Sequence, residues 1–357
     1  MTPADSNPSS AARPAILTLA RPDDWHLHLR DGPAMASVVG FTARAFARAI
    51  VMPNLVPPVA TVREARAYRD RIRAALAEGA AFDPLPALYL TARTTPEDVA
   101  EARASGFVPA IKHYPAGATT HSDAGVPTLS SVSPVLAAME RHGLVLCVHG
   151  EVVDAAVDTF DRERVFVERE LARTVQDFPG LRIVVEHITT REAVDFVRAA
   201  PANVAATITP QHLLYSRDAM FAGGVRPHLF CRPVLKREAH RRAVLEAAIS
   251  GEPKFFLGTD SAPHSRRAKE NACGCAGCFS AHAALEMYAE VFEAAGALDR
   301  LEAFASHHGA DFYGLPRNRD TLTLRREAWT VPAAYPFGDE TLVPLKAGET
   351  LAWRLDA

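Results

Sequence analysis

What this chain has little of narrows its class before any motif is read. Five cysteines among 357 residues are an odd number, and so long a chain has no need of a disulfide framework; a reducing, cytoplasmic compartment is the expectation. No apolar run approaches the length of a membrane span, which argues against a membrane-embedded protein. Met1–Ala12 is rich in Ser, Ala and Pro and has no charged start followed by an apolar stretch. It reads as a frayed tail, not a secretory signal, with one domain expected over residues 13–357. Excess charge is also missing: the net value is −3, which gives no sign of a nucleic-acid or membrane-surface partner. There is no internal repeat, and no Gly-rich dinucleotide turn follows the first strand signal, which weighs against a doubly wound open sheet.

What is present is alternation. Short apolar runs recur at Ile16–Leu19 with Trp25–Leu29, Ala45–Met52, Ala87–Ala92, Pro109–His113, Leu144–His149, Ile183–His187, Val204–Thr209 and Phe255–Gly258. Several are continuous, as parallel strands buried on both faces require. Between them lie helix signatures. Thr61 with Glu64 has capping-box spacing and opens a helix running toward Gly79; Thr95-Pro96-Glu97-Asp98 opens another that Gly106 ends; Thr189 with Glu192 repeats the box. Lys236–Ser250 and Phe279–Ala295 are long and amphipathic. Eight strand signals, with the first two runs counted as one, separated by helices predict an α/β fold of the (β/α)8 type, with its active site at the C-terminal strand ends. From about residue 318 the alternation gives way to short strand-like pieces, read as a C-terminal extension packed on the barrel.

The polar residues that end the apolar runs then carry the chemistry. His26, His28 and Arg30 alternate with Leu27 and Leu29, so on a strand the two imidazoles and the guanidinium share one face. Two imidazoles one strand-step apart suit a divalent transition metal, although strand-end histidines satisfied by hydrogen bonds are as good a reading of the pair alone. Other runs end in Lys112, His149, His187 and Asp260. Four His and one Asp converging on one barrel rim point to a metal site. Lys112 is the odd member, because an ammonium would repel metal cations. Its neutral amine can react with carbon dioxide to give a carbamate, an anion whose two oxygens can bridge two metals, and burial favours this by lowering the lysine pKa. The alternative is a lysine snorkelling at the barrel mouth.

This set, together with the stretches HLHLRDG, MPN at Met52–Asn54, IKHYPAGATTHS at Ile111–Ser122, VEHITT at Val185–Thr190, GGVRPHLFCRPVLK at Gly223–Lys236 and GTDSAPH at Gly258–His264, resembles the binuclear amidohydrolases, and within them the dihydroorotases of the monofunctional bacterial type. The similarity runs from Arg21 to about Gly314. The resemblance implies one zinc on His26, His28 and Asp260 and a second on His149 and His187, with carboxylated Lys112 (N6-carboxylysine) and a hydroxide bridging them. It implies a substrate carboxylate held by Arg30, Asn54 and His264, further substrate contacts at His28 and His149, and ring edges meeting backbone groups near Arg232 and Ala276. An apolar residue is expected in relatives where Arg232 stands. It also implies a cytoplasmic homodimer that interconverts N-carbamoyl-L-aspartate and L-dihydroorotate in pyrimidine synthesis.

The chemistry expected of such a site follows from charge. Metals acidify water and stabilise an oxyanion, and Asp260 beside the hydroxide can carry its proton to the leaving nitrogen as general acid and base. Ring closure consumes a proton, so acid favours the ring and base the open form. Tyr114–Ser122 reads either as a lid whose Thr119 and Thr120 hydroxyls meet substrate or as an ordinary loop of turn residues. A cyclic amidase acting on hydantoins or allantoin would keep the metal ligands but leave the carboxylate clamp without a purpose. A non-catalytic homologue would be expected to have lost ligands, and none is missing. Cys273, Cys275 and Cys278, with His282 beyond, have one Cys-x-x-Cys step and no second pair, so reduced loop cysteines are expected over a structural zinc site. His307 and His308 read as structural, and His212 as a residue behind the site.

Overall fold

The computed structural model describes residues 14–272 and 274–356, so the tail expected at Met1–Ala12 and Cys273 lie outside the described residues. The first strand, β1 (Ile16–Ala20), does not join the barrel, contrary to its grouping with the run that follows. It pairs antiparallel with β11 (Thr321–Arg325), from Ile16 opposite Arg325 to Ala20 opposite Thr321. Its burial explains this: Ile16 is exposed and Leu19 buried, the pattern of a strand with one wet face.

The barrel begins at β2 (Asp23–Leu27) and continues through β3 (Arg48–Val51), β4 (Asp83–Pro86) with β5 (Leu88–Tyr89), β6 (Ala110–His113), β7 (Val145–His149), β8 (Ile183–Glu186), β9 (Val204–Ile208) and β10 (Phe255–Leu257). Pairing is parallel from β2 to β4 and from β5 to β10, and β4 and β5 are one barrel strand interrupted at Ala87. Closure comes from Leu27 bridging Ser261, with His28 N donating to Ser261 O at 3.0 Å and Asp260 N to His26 O at 2.9 Å. The result is the (β/α)8 barrel that the alternation predicts. Gly258 lets the last strand fit, since a Cβ there would lie 2.7 Å from Thr207 Cβ and 3.1 Å from His26 Cβ.

Helices fill the crossovers, and their starts follow capping chemistry. Thr61 accepts from Glu64 N while Glu64 accepts from Thr61 N, opening Val62–Ala74; Thr95 and Asp98 reciprocate in the same way before Pro96–Ser105, and Gly106 closes that helix at φ 73°. The box expected at Thr189 and Glu192 is not formed. Thr190 caps Arg191–Ala199 through Ala193 N, because Thr189 is spent on the buried Glu163 carboxylate. The two long helices are shorter than their amphipathic patterns, at Glu238–Ala248 and Ala284–Ala294.

Strand alternation sorts the apolar residues into two cores. Outward side chains such as Val51, Leu146, Val148, Val185 and Leu257 pack under the helices. Inward ones, Trp25, Ile50, Val145, Cys147, Val184, Ala205 and Phe256, meet Ala310 and Tyr313 of the last barrel helix, His308–Tyr313, and fill the barrel floor. Trp25 stacks on Tyr313 with ring centroids 4.6 Å apart. After the barrel, β11 also pairs with β16 (Arg354–Leu355), β12 (Trp329–Thr330) pairs with β15 (Thr350–Leu351), and β13 (Tyr335–Phe337) forms a hairpin with β14 (Glu340–Leu342). Trp353 Nε1 reaches Glu293 and Gly338 N reaches Ser37, so the extension lies against helices of the barrel wall. No helix among the described residues is long and apolar enough to cross a membrane.

Candidate metal centre and active site

One inward step above the apolar floor, the same strands present polar groups. Lys112 follows Ala110, His149 follows Cys147, Glu186 follows Val184 and Thr207 follows Ala205, each two residues on and therefore on the inner face. The backbone at this rim is unusual. Among the described residues five non-glycines have positive φ, and three of them, Arg30 (64°), His187 (44°) and Asp260 (44°), line one cleft.

Hydrogen bonds settle which imidazole nitrogens are free. His26 Nδ1 donates to Glu186 Oε2 at 2.8 Å, and His28 Nδ1 donates to Asn54 Oδ1 at 2.8 Å. Each carboxylate or amide oxygen can only accept, so the Nε2 lone pairs remain available. Those two Nε2 atoms lie 3.2 Å apart, and Asp260 Oδ1 is 3.5 Å from one and 3.1 Å from the other. Donors about 2.0–2.1 Å from a tetrahedral ion stand about 3.3 Å apart, so the three fit a divalent metal such as zinc. Among the described residues they are the set of His, Cys, Asp and Glu side chains able to offer three donor atoms within 4.8 Å.

His149 and His187 stand beside this set, with ring centroids 4.8 Å apart and that of His187 5.0 Å from that of His26. His149 Nε2 donates to Glu151 Oε2 at 2.9 Å, leaving Nδ1 to accept or ligate; His187 Nδ1 is buried with no partner. Lys112 is 0 % exposed and its Nζ has no hydrogen-bond partner, an unusual state for an ammonium. Burial pulls its pKa below the ordinary lysine value, against the pull of Glu186, which favours the neutral amine. Burial likewise lowers His28 to about 4 and His187 well below the usual imidazole range, so both rings are neutral and able to ligate. For Asp260, burial pushes the carboxyl up, but the hydrogen bond from His28 and the neighbouring imidazoles hold it down at about 2.

Arg30, Asn54, Thr119, Thr120, Arg232 and Ala276 line a cleft of about 340 Å³ with His26, His28, His149, His187 and Asp260, and His264 stands behind Arg30. Arg30 donates from Nε to Pro263 O at 2.9 Å, and its Nη2 lies 2.8 Å from His264 Nε2. That nitrogen is also 3.0 Å from Ala276 O. Burial and the Arg30 charge keep His264 neutral. Asn54 Nδ2 donates to Thr120 O at 3.0 Å and Thr120 Oγ1 to Ala276 O at 3.5 Å, drawing the Tyr114–Ser122 loop over the cleft with Thr119 and Thr120 on its wall. Arg232 is on the wall too, its Nη1 donating to Thr159 Oγ1 at 2.8 Å.

Other candidates fall outside. His212 bonds Thr209 Oγ1 and Pro233 O and does not line the cleft. His308 Nδ1 meets Phe255 O below the barrel, and His282 packs on Phe279 and Tyr335. Cys278 donates to His228 O, and Cys275 joins no three-donor set.

Several residues at the site went unassigned in the sequence. Glu186 and Glu151 orient His26 and His149, and their signal was proximity: one directly precedes His187, the other follows His149 by two. Asp24 accepts from Thr259 N (2.9 Å), Thr259 Oγ1 (2.6 Å) and His26 N (3.1 Å), tying the first barrel strand to the last. Tyr114, two beyond Lys112 on the same face, turns a buried, unpartnered hydroxyl to the site.

Comparison with known proteins agrees with this geometry. Residues 22–345 match the model of the Amidohydrolase family. A dihydroorotase of Azoarcus sp. strain BH72 is 63% identical over 340 residues, 95% of this chain and 99% of that protein. The crystal structure of dihydroorotase from Campylobacter jejuni superposes with a TM-score of 0.88 at 35% identity, covering 96% of this chain and 98% of that one. Dihydroorotase from Saccharomyces cerevisiae in complex with 5-fluoroorotic acid gives the same score at 32% identity and the same coverage. The chain belongs to the amidohydrolase family and, within it, to the dihydroorotases.

Proposed function

We propose that this dihydroorotase closes N-carbamoyl-L-aspartate to L-dihydroorotate and water, reversibly, in the third step of pyrimidine synthesis, through the residues that line the cleft. The observation that carries the residue assignment is one juxtaposition: the His26–His28–Asp260 donor set opens into the same cleft as Arg30, whose guanidinium is backed by His264.

His26, His28 and Asp260 would hold one zinc ion and His149 and His187 a second, with carboxylated Lys112 between them. Ions held there supply acidified water and an electrophile for the carbonyl oxygen. The chain's own groups do the rest. The unpartnered, neutral Lys112 amine attacks carbon dioxide, forming an N–C bond as one C=O bond opens and releasing a proton, and so turns a buried neutral group into an anion. Arg30 keeps donors free beyond its bonds to Pro263 and His264, and these meet the substrate carboxylate with Asn54 alongside. Asp260, ionised, takes a proton from the attacking water and passes it to the ring nitrogen during hydrolysis; in the closing direction the transfers reverse. The loop that carries Thr119 and Thr120 excludes water from the closed cleft. A cytoplasmic homodimer accompanies this reading on the strength of the family resemblance.

Metal analysis with an assay on dihydroorotate tests it. Two divalent ions per chain are expected, with activity abolished by chelation and restored by zinc. A single ion in fully active protein overturns the binuclear assignment, and turnover of hydantoins without dihydroorotate overturns the substrate.

A further inference from the structure

Lys269 is a buried cation that the chemistry above leaves unused. It ends the short helix Arg266–Lys269 beyond His264 and is 3% exposed. Its ammonium donates to Phe230 O at 2.7 Å, Cys275 O at 2.9 Å and Gly277 O at 2.7 Å. Three hydrogens meet three backbone carbonyls, so its donors are fully used. Among the described residues no Asp or Glu pairs with it. A buried ammonium without a carboxylate is costly to desolvate, and removing it would strip three carbonyls of their donor, so this side chain is committed to holding two loops together.

Each of the two segments it joins reaches the cleft: Arg232 lines it from the segment that carries Phe230, and Ala276 and Gly277 line it from the segment that carries Cys275. They meet directly where Gly277 N donates to Phe230 O at 3.0 Å. Gly277 lies at φ 148°, and a Cβ there would sit 2.6 Å from Ala262 O, so the 275–277 segment is also pressed onto the loop that follows the last barrel strand. Ala276 O, between two of the carbonyls that Lys269 grips, in turn lies 3.0 Å from His264 Nε2.

We propose that Lys269 is a positioning residue for the substrate ring: it fixes the register between the 230–232 and 275–277 segments so that their backbone groups match the N–H and C=O edges of the ring. Such edges are read by fixed donors and acceptors, and an error of about 1 Å in their placement costs as much as 100-fold. The inference rests on the substrate reading above.

The test is steady-state kinetics on the metal-loaded enzyme. Lys269→Met is expected to melt as a cooperative fold with wild-type metal content, to raise KM for dihydroorotate roughly ten- to hundredfold, and to lower kcat much less. Lys269→Arg, which keeps the charge and several donors, is expected to recover part of the affinity. Should the Met variant not fold, Lys269→Gln takes its place with two amide hydrogens. An unchanged KM in either folded variant overturns the proposal, as does a loss of kcat with KM unmoved. If Met and Gln variants both fail to fold while Lys269→Arg is normal, the role is stability alone and the proposal falls. Wild-type protein inactive on dihydroorotate would instead overturn the substrate reading.

Discussion

Residues two apart on one strand meet opposite surroundings inside this barrel. Cys147 lies with Val184, Phe256 and Tyr313, whereas His149, one inward step on, faces His187 and bonds Glu151. The floor is apolar and close-packed; among the described residues its orphaned polar atom is Trp25 Nε1, pressed so closely against Gly309 that a Cβ there would lie 1.9 Å away. The rim is the reverse. Lys112 Nζ, His187 Nδ1, Tyr114 Oη, Glu151 Oε1 and Glu186 Oε1 are buried without partners, and the chain bends through positive φ to present the side chains. Buried polar groups left free to meet a ligand are what a binding site needs and what a packed core excludes, so rim and floor answer to opposite demands. The lesson is a division of labour along the barrel axis, and it can be broken from either side.

The hardest break is Lys112→Ala. Without the carbamate proposed there the donor set would lose an anion, and activity is expected to fall about 10³-fold or more with loss of at least one metal. Added formate or acetate, supplying carboxylate oxygens in the vacated space, is expected to restore part of it, and alkylamines only where carbon dioxide is present. Metal analysis and rates together check this; full occupancy and near-normal turnover would return Lys112 to the bland role of a snorkelling side chain. Next comes Arg30→Met, expected to lower kcat/KM for dihydroorotate about 100-fold, the worth of a charge-assisted bidentate contact, with metal content unchanged. Normal turnover would break the clamp assignment. Glu186→Gln weakens the hold on His26 Nδ1, and a drop of about 10–100-fold in metal affinity is expected in competition with a chelator. At the floor, Ile50→Val is expected to cost about 0.5–1.5 kcal/mol in urea denaturation while leaving turnover per folded molecule unchanged. A change in kcat there would show that floor and rim are coupled.

The same division explains what the sequence made legible. Barrel strands are buried on both faces, so their apolar runs stand out, and a His, Lys or Asp ending such a run is conspicuous because it breaks the pattern. His26, His28, Lys112, His149, His187 and Asp260 could all be named for that reason. Asp24 and Glu186 could not: both sit where an apolar residue would serve the strand equally well, and only their partners 21 or more residues away, Thr259 and Thr207, give them meaning. Ile16–Ala20 was misgrouped because its partner, Thr321–Arg325, comes from the other end of the chain. At Thr189-Thr190 two adjacent residues could each cap the helix, and the choice depends on Glu163, which local spacing does not reveal. Lys269 gave no signal, since its partners are backbone carbonyls that any residue carries.

The clasp between Asp24 and Thr259 has a temporal side. Its partners are 235 residues apart, and it joins the strand that carries His26 to the one that leads into Asp260. A growing chain releases His26 and His28 from the ribosome long before Asp260, so for most of synthesis the three-donor set is two imidazoles and nothing more. Bringing the ends together adds only logarithmically to the entropic cost of so long a loop, yet no shorter fragment can complete the set. On the proposed assignment, retention of an ion is therefore a clock as well as a chemical property. It starts when the eighth strand closes against the first, and a chain arrested before that point has every helix of the early barrel and no metal chemistry at all.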